Sequence, residues 1–88
     1  MHFLMMWKVV NKVKKIMTNT KLLREKIDDS GYKISFVAKQ CGLTYQGFLK
    51  KVNNETEFKV SETMILKELL HLTDAEWEEI FFTDDVDL

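Results

Sequence analysis

From residue 20 onward the apolar positions recur at helical spacing between residues that start and stop helices. Leu22, Leu23 and Ile27 share one face of a first predicted helix, which Thr20 caps and Ser30-Gly31 closes, the glycine taking the left-handed conformation that ends helices. Ser35 is expected to cap a short second helix, Phe36 to Cys41, stopped by Gly42. Thr44 caps a third, Tyr45 to Val52, which Asn53-Asn54 ends. Glu55 to Val60 reads as a loop whose Phe58 and Val60 plug the core, although Glu57-Phe58-Lys59-Val60 alternates as a brief strand would. Ser61 is expected to cap a fourth helix, on which Met64, Ile65, Leu66, Leu69 and Leu70 make an apolar face broad enough to lie centrally. Thr73-Asp74-Ala75-Glu76 is a capping box, in which each outer side chain serves the other residue's amide, and it opens a fifth helix running through Phe82.

The two ends differ from this middle. In residues 1–17, Phe3, Met6, Trp7, Val10, Val13 and Met17 recur at helical spacing with Lys8, Lys12, Lys14 and Lys15 on much of the other side. Three readings stay open: an amphipathic helix, a membrane-surface helix, or translated upstream sequence ahead of a domain opening at Met17 with "MTNTKLL". The organisation expected is therefore an N-terminal extension over 1–17, either an extra helix or disordered, a globular domain over 18–82, and a frayed acidic tail over 83–88.

Composition narrows the class. The 88 residues suit one domain, and 45% hydrophobic with 31% charged residues is the balance of a chain that folds. The absence of proline and the presence of only three glycines, Gly31, Gly42 and Gly47, disfavour a sheet with many tight turns, so an all-α fold is expected. Cys41 is the sole cysteine and makes no internal disulfide. The apolar run Met1 to Trp7 is too short to cross a membrane, and basic residues follow it rather than precede it, unlike a signal peptide. A cytoplasmic protein with a reduced thiol is the expectation.

The net charge of −1 argues alone against nucleic acid, but the distribution of charge along the chain points the other way. Residues 1–60 hold twelve Lys/Arg against five Asp/Glu, while residues 61–88 hold one against nine. A phosphate-facing surface survives in the basic part.

The informative segment is ISFVAKQCGLTYQGFLKKV, Ile34 to Val52. Ala38 is small where one helix is crossed closely by the next, Gly42 permits the turn, and Phe48 packs back between them, with Val37, Cys41 and Leu43 at the remaining inward positions. Over about Thr20 to Leu70 the chain resembles the phage Cro and repressor proteins and the bacterial Xre-type regulators, especially small phage-encoded members in which "YQGF" opens the recognition helix. The resemblance implies a five-helix lambda-repressor-like helix-turn-helix domain. Two departures accompany it: Lys51 stands where the family often has an aliphatic residue, with Val52 as the substitute, and Ile34 stands where many members have a phosphate-contacting glutamine.

What the resemblance implies is sequence-specific binding of double-stranded DNA by a transcriptional regulator, with the third helix in the major groove. Phe48 and Val52 point inward, so Tyr45, Gln46, Leu49 and Lys50 are expected to face away from the core. Gln46 suits an adenine edge, Lys50 a guanine or a phosphate, and Leu49 a thymine methyl, while Tyr45 either touches DNA or packs on its own helix. Thr44 and the amides at the helix start suit a phosphate, as do Lys39, Lys51 and the loop amides of Asn53 and Asn54. Gly47 is costly inside a helix, which either a close approach to the second helix or to a phosphate, or simple drift, would explain. Trp77, Ile80, Phe81 and Phe82 give the fifth helix an apolar side, most of which is expected to close the domain, while the surplus of aromatics offers a contact for an expected homodimer. The alternative is a protein-interaction module, antirepressor or antitoxin-like, that keeps the fold without reading bases. His2, His71 and Cys41 form no metal-spaced cluster and no phosphate loop or nucleophile elbow is present, so no enzyme activity, cofactor, metal or small-molecule substrate is expected.

Overall fold

The computed structural model describes residues 16–82, and the readings for 1–15 and 83–88 lie outside them. The fold is all-helical, with five helices among the described residues: α1 (Thr20–Ser30), α2 (Ile34–Gln40), α3 (Tyr45–Val52), α4 (Val60–Leu69) and α5 (Asp74–Phe81). The alternating stretch at 57–60 forms no strand. No helix among the described residues is long and apolar enough to cross a membrane.

The helix ends follow local chemistry, with four corrections. Asn19, not Thr20, caps α1, its side chain accepting from the Leu22 amide at 3.2 Å. The Thr20 hydroxyl instead donates to the Val52 carbonyl at 2.5 Å, satisfying an orphan acceptor in the last turn of α3. Helix α2 opens at Ile34, with Ser35 inside it and Lys33 in the cap position. Helix α4 opens at Val60 rather than after Ser61, because the Glu62 carboxylate reaches back to accept the Lys59 amide at 2.8 Å. The capping box at Thr73 and Glu76 is present, and α5 closes at Phe81, one residue earlier than expected.

Helix α2 packs on α3, while α1 and α4 each pack on α5. Three aromatic rings join these groups. Phe58, on the loop before α4, meets Phe48 of α3 edge-on at 5.9 Å and Phe81 of α5 edge-on at 5.4 Å, a geometry that places positive ring edges over negative faces. Around them Leu23, Ile27, Val37, Val52, Leu66 and Ile80 are buried.

Helix α4 is rotated from the expected phase. Val60 and Met64 are 53% and 54% exposed and Ile65 is 39% exposed, while Glu62, Thr63 and Leu66 are buried. Polar groups can occupy the inward stripe because each has a partner. The Thr63 hydroxyl donates to the Val60 carbonyl at 2.7 Å and accepts from the Trp77 indole at 3.2 Å. Of the two expected plugs, Phe58 is one and Val60 is not.

The N-terminal side also departs from expectation. Ile16 and Thr18 are buried, Met17 bridges in parallel to Phe82, and the Asn19 amide donates to the Ile80 carbonyl at 2.6 Å. Ile16, assigned above to the extension, therefore belongs to the core. Asn54 holds this segment: its side-chain oxygen accepts from the Thr18 amide and its amide nitrogen donates to the Thr18 carbonyl, both at 2.9 Å. Its φ of +65° is one that asparagine tolerates better than most side chains.

Two stability outcomes follow. Ala38→Leu should overpack the crossing of α2 and α3 and cost roughly 1–3 kcal/mol in urea unfolding. Asn54→Gly, which eases the backbone but deletes both bonds to Thr18, should still be less stable than the wild type. A more stable Asn54→Gly variant would show that the tie to residue 18 contributes nothing.

Candidate nucleic-acid interface

The α2-turn-α3 unit is built around Gly42, whose φ of +73° lets the chain reverse within two residues. The Gly42 amide donates to the Lys39 carbonyl at 2.9 Å and the Leu43 amide to the Ala38 carbonyl at 3.0 Å, so the end of α2 is closed by the turn itself. Thr44 then caps α3, its hydroxyl accepting from the Gly47 amide at 3.0 Å. That bond also explains the glycine. A Cβ on Gly47 would sit 3.0 Å from the Thr44 hydroxyl oxygen, so the cap makes the close approach, and the second helix places no atom within 4 Å of that position.

With Phe48 and Val52 fully buried, α3 turns Tyr45, Gln46 and Lys50 to solvent on one open face, Tyr45 being 50% exposed. Thr44 and Lys39 are exposed beside them. The amides of Tyr45 and Gln46, in the first turn of α3, have no acceptor among the described residues.

Four of the expected site residues are placed otherwise. Leu49 is half-buried and lines a cleft of about 100 Å³ with Ile27, Ile34 and Val52, so it is not a free outward side chain. Lys51 is turned inward: its ammonium donates to Glu62 Oε1 at 2.9 Å and to the Glu57 carbonyl at 3.1 Å. The Asn53 and Asn54 amides are already given to the Leu49 and Lys51 carbonyls, at 3.0 and 3.2 Å, and so offer no donors to a phosphate. Their side chains are engaged as well, Asn53 by Arg24 and Asn54 by Thr18.

The acidic C-terminal part is partly neutralised inside the molecule. Glu76 pairs with Lys26 at 2.5 Å, Glu62 with Lys51, and Asp74 with Lys67, whose ammonium also lies 5.0 Å from the Trp77 ring. The hydrogen bond from Lys26 holds the Glu76 carboxyl below its ordinary range, and Lys67 does the same for Asp74. Among the described residues, Lys21, Lys33, Lys39, Lys50 and Lys59 meet no carboxylate. Cys41 lies under the turn, and burial, with the Glu62 carboxylate adding to it, pushes its thiol up to about 11. A thiol so rarely ionised is a poor nucleophile.

Sequence reasoning missed Arg24 and Glu62. The sequence contained a sign of Glu62, a carboxylate at the third position of a helix, but not of its burial. For Arg24 the signal was only its place one turn from Lys21. No family model, curated protein or solved structure matches the chain.

The inward turn of Lys51 gives a direct expectation. Lys51→Met strands the Glu62 carboxylate in a site where only 9% of its side chain is exposed, and should cost about 3 kcal/mol in urea unfolding, the low end for breaking a pair largely out of water. Combining it with Glu62→Gln, which keeps an acceptor for the Lys59 amide, should recover much of that loss.

Proposed function

We propose that the protein binds double-stranded DNA sequence-specifically, as a cytoplasmic transcriptional regulator of the Cro/repressor-like kind, with a lambda-repressor-like arrangement that lays α3 in the major groove. The observation that carries this reading is the two-sidedness of α3. One face is locked into the core by Phe48 and Val52, and the other presents Tyr45, Gln46 and Lys50 at the end of a glycine turn, with Lys39 alongside. In this reading Gln46 bonds a base edge bidentately and Lys50 meets a guanine or a phosphate. Thr44, the open amides of Tyr45 and Gln46, and Lys39 receive the backbone. Local potential outweighs the total charge, because the three ion pairs cancel acid against lysine one for one, Lys39 and Lys50 stand outside them, and potential fades within about 8 Å at physiological salt.

The homodimer belongs to the same proposal but to a different surface. Ile80 and Phe81 are buried and Trp77 and Phe82 pack edge-on at 4.9 Å, so the α5 aromatics are largely used within the domain. The exposed strip Val60, Met64 and Ile65 on α4 is what supports a contact with a second chain. The same strip favours the second reading, a protein-interaction module that does not read bases. No catalytic role enters either reading.

Selection from a random duplex library tests the proposal, and enrichment of a palindrome is the result expected for a dimeric reader. Gln46→Ala should leave urea unfolding nearly unchanged and erode discrimination at one base pair by about 1–3 kcal/mol. Absence of any enriched sequence, with no duplex affinity even at low salt, would transfer the weight to the protein-interaction reading.

A further inference from the structure

The C-terminal end of α3 is flanked by a helix that the reading above does not use. The bond from Thr20 to the Val52 carbonyl lays the first turns of α1 against the last turn of α3. One turn further along α1, Arg24 extends to the same end, its Nη2 donating to the Asn53 side-chain oxygen at 3.2 Å. Asp28 sits four residues on in the same helix, a natural ion-pair partner for an arginine, yet among the described residues no carboxylate lies within ion-pair distance of the guanidinium. Arg24 is exposed, and one of its five donors is committed to a neutral amide that fixes its direction. Lys21, one turn before it, and Lys50, one turn before Asn53 on α3, are exposed and meet no carboxylate among the described residues.

We propose that Arg24, aimed by Asn53 and supported by Lys21 and Lys50, binds a DNA phosphate at the C-terminal end of α3. The site rests on the DNA-binding reading and deepens it. Helix α3 has eight residues, so it is about 12 Å long, close to the roughly 12 Å width of the major groove. Laid across the groove, such a helix brings its two ends to opposite walls. Thr44 and Lys39 meet one backbone, and Arg24 with Lys21 meets the other. An arginine suits this task because its planar fork takes two phosphate oxygens while a further donor stays on the asparagine. A contact of this kind adds affinity for every duplex and fixes how deeply α3 sits, without reading sequence.

The experiment is a salt series with Arg24→Gln, Arg24→Lys and the wild type, on the selected duplex and on a random one, with thermal unfolding of each protein alongside. Arg24→Gln should weaken both duplexes by a similar factor and make the slope of log affinity against log salt shallower by about one unit, with little change in melting temperature. Arg24→Lys should keep most of the slope. An unchanged slope and affinity in Arg24→Gln, with the wild type binding normally, overturns the assignment and leaves the DNA reading intact. A lowered melting temperature with an unchanged slope also overturns it, showing Arg24 to be only a fastener between α1 and α3. A wild type that binds neither duplex at low salt removes the DNA reading, and this site with it.

Discussion

A carboxylate withdrawn from water must be met by donors, and the way Glu62 meets this demand shapes much of the molecule. Its Oε1 atom takes both the Lys59 amide, which starts α4, and the Lys51 ammonium, which comes from the last turn of α3. These bonds pin the beginning of α4 to the end of α3 across the loop that carries Phe58. They also fix the rotation of α4. With Glu62 inward, Thr63 and Leu66 follow on the same stripe, and Val60, Met64 and Ile65 are left outside. The exposed apolar strip is thus a consequence of satisfying one buried charge.

The same pair redistributes the chain's positive charge. Of two adjacent lysines at the end of α3, Lys51 is committed to the interior and Lys50 is left to solvent. The face of α3 that carries Gln46 and Lys50 is therefore narrower than a count of basic residues suggests, and its boundary is set by core packing. Leu49 marks the other edge, half-buried against α1 and α2.

How far the sequence reveals this arrangement depends on the range of the physics involved. Thr44, Thr73 and Gly31 announce helix ends correctly because capping is settled within three or four residues. Val37, Ala38, Phe48 and Val52 are legible as core because a tight glycine turn leaves their phase little freedom. Thr20 misleads because Asn19 beside it caps equally well, and the choice is made by a carbonyl 32 residues away at Val52. Helix α4 misleads for a related reason. Its apolar density centres on Met64 and Ile65, but Thr63 and Glu62 find partners on α5 and α3, and apolar periodicity does not register paired polar groups. On the candidate interface, Tyr45, Gln46 and Lys50 are legible from helix phase alone. Lys51 and Arg24 are not, because side-chain reach decides them.

The bridge from Met17 to Phe82 joins residues 65 positions apart in the chain. Closing a loop costs entropy that grows by about 0.6 kcal/mol for each doubling of its length, so this contact is harder to form than any turn between neighbouring helices. The segment before α1 and the last turn of α5 are accordingly expected to dock late, onto a nucleus already formed by the short-range crossings. Once docked they hold each other, and opening either one exposes the amides of both to exchange with solvent.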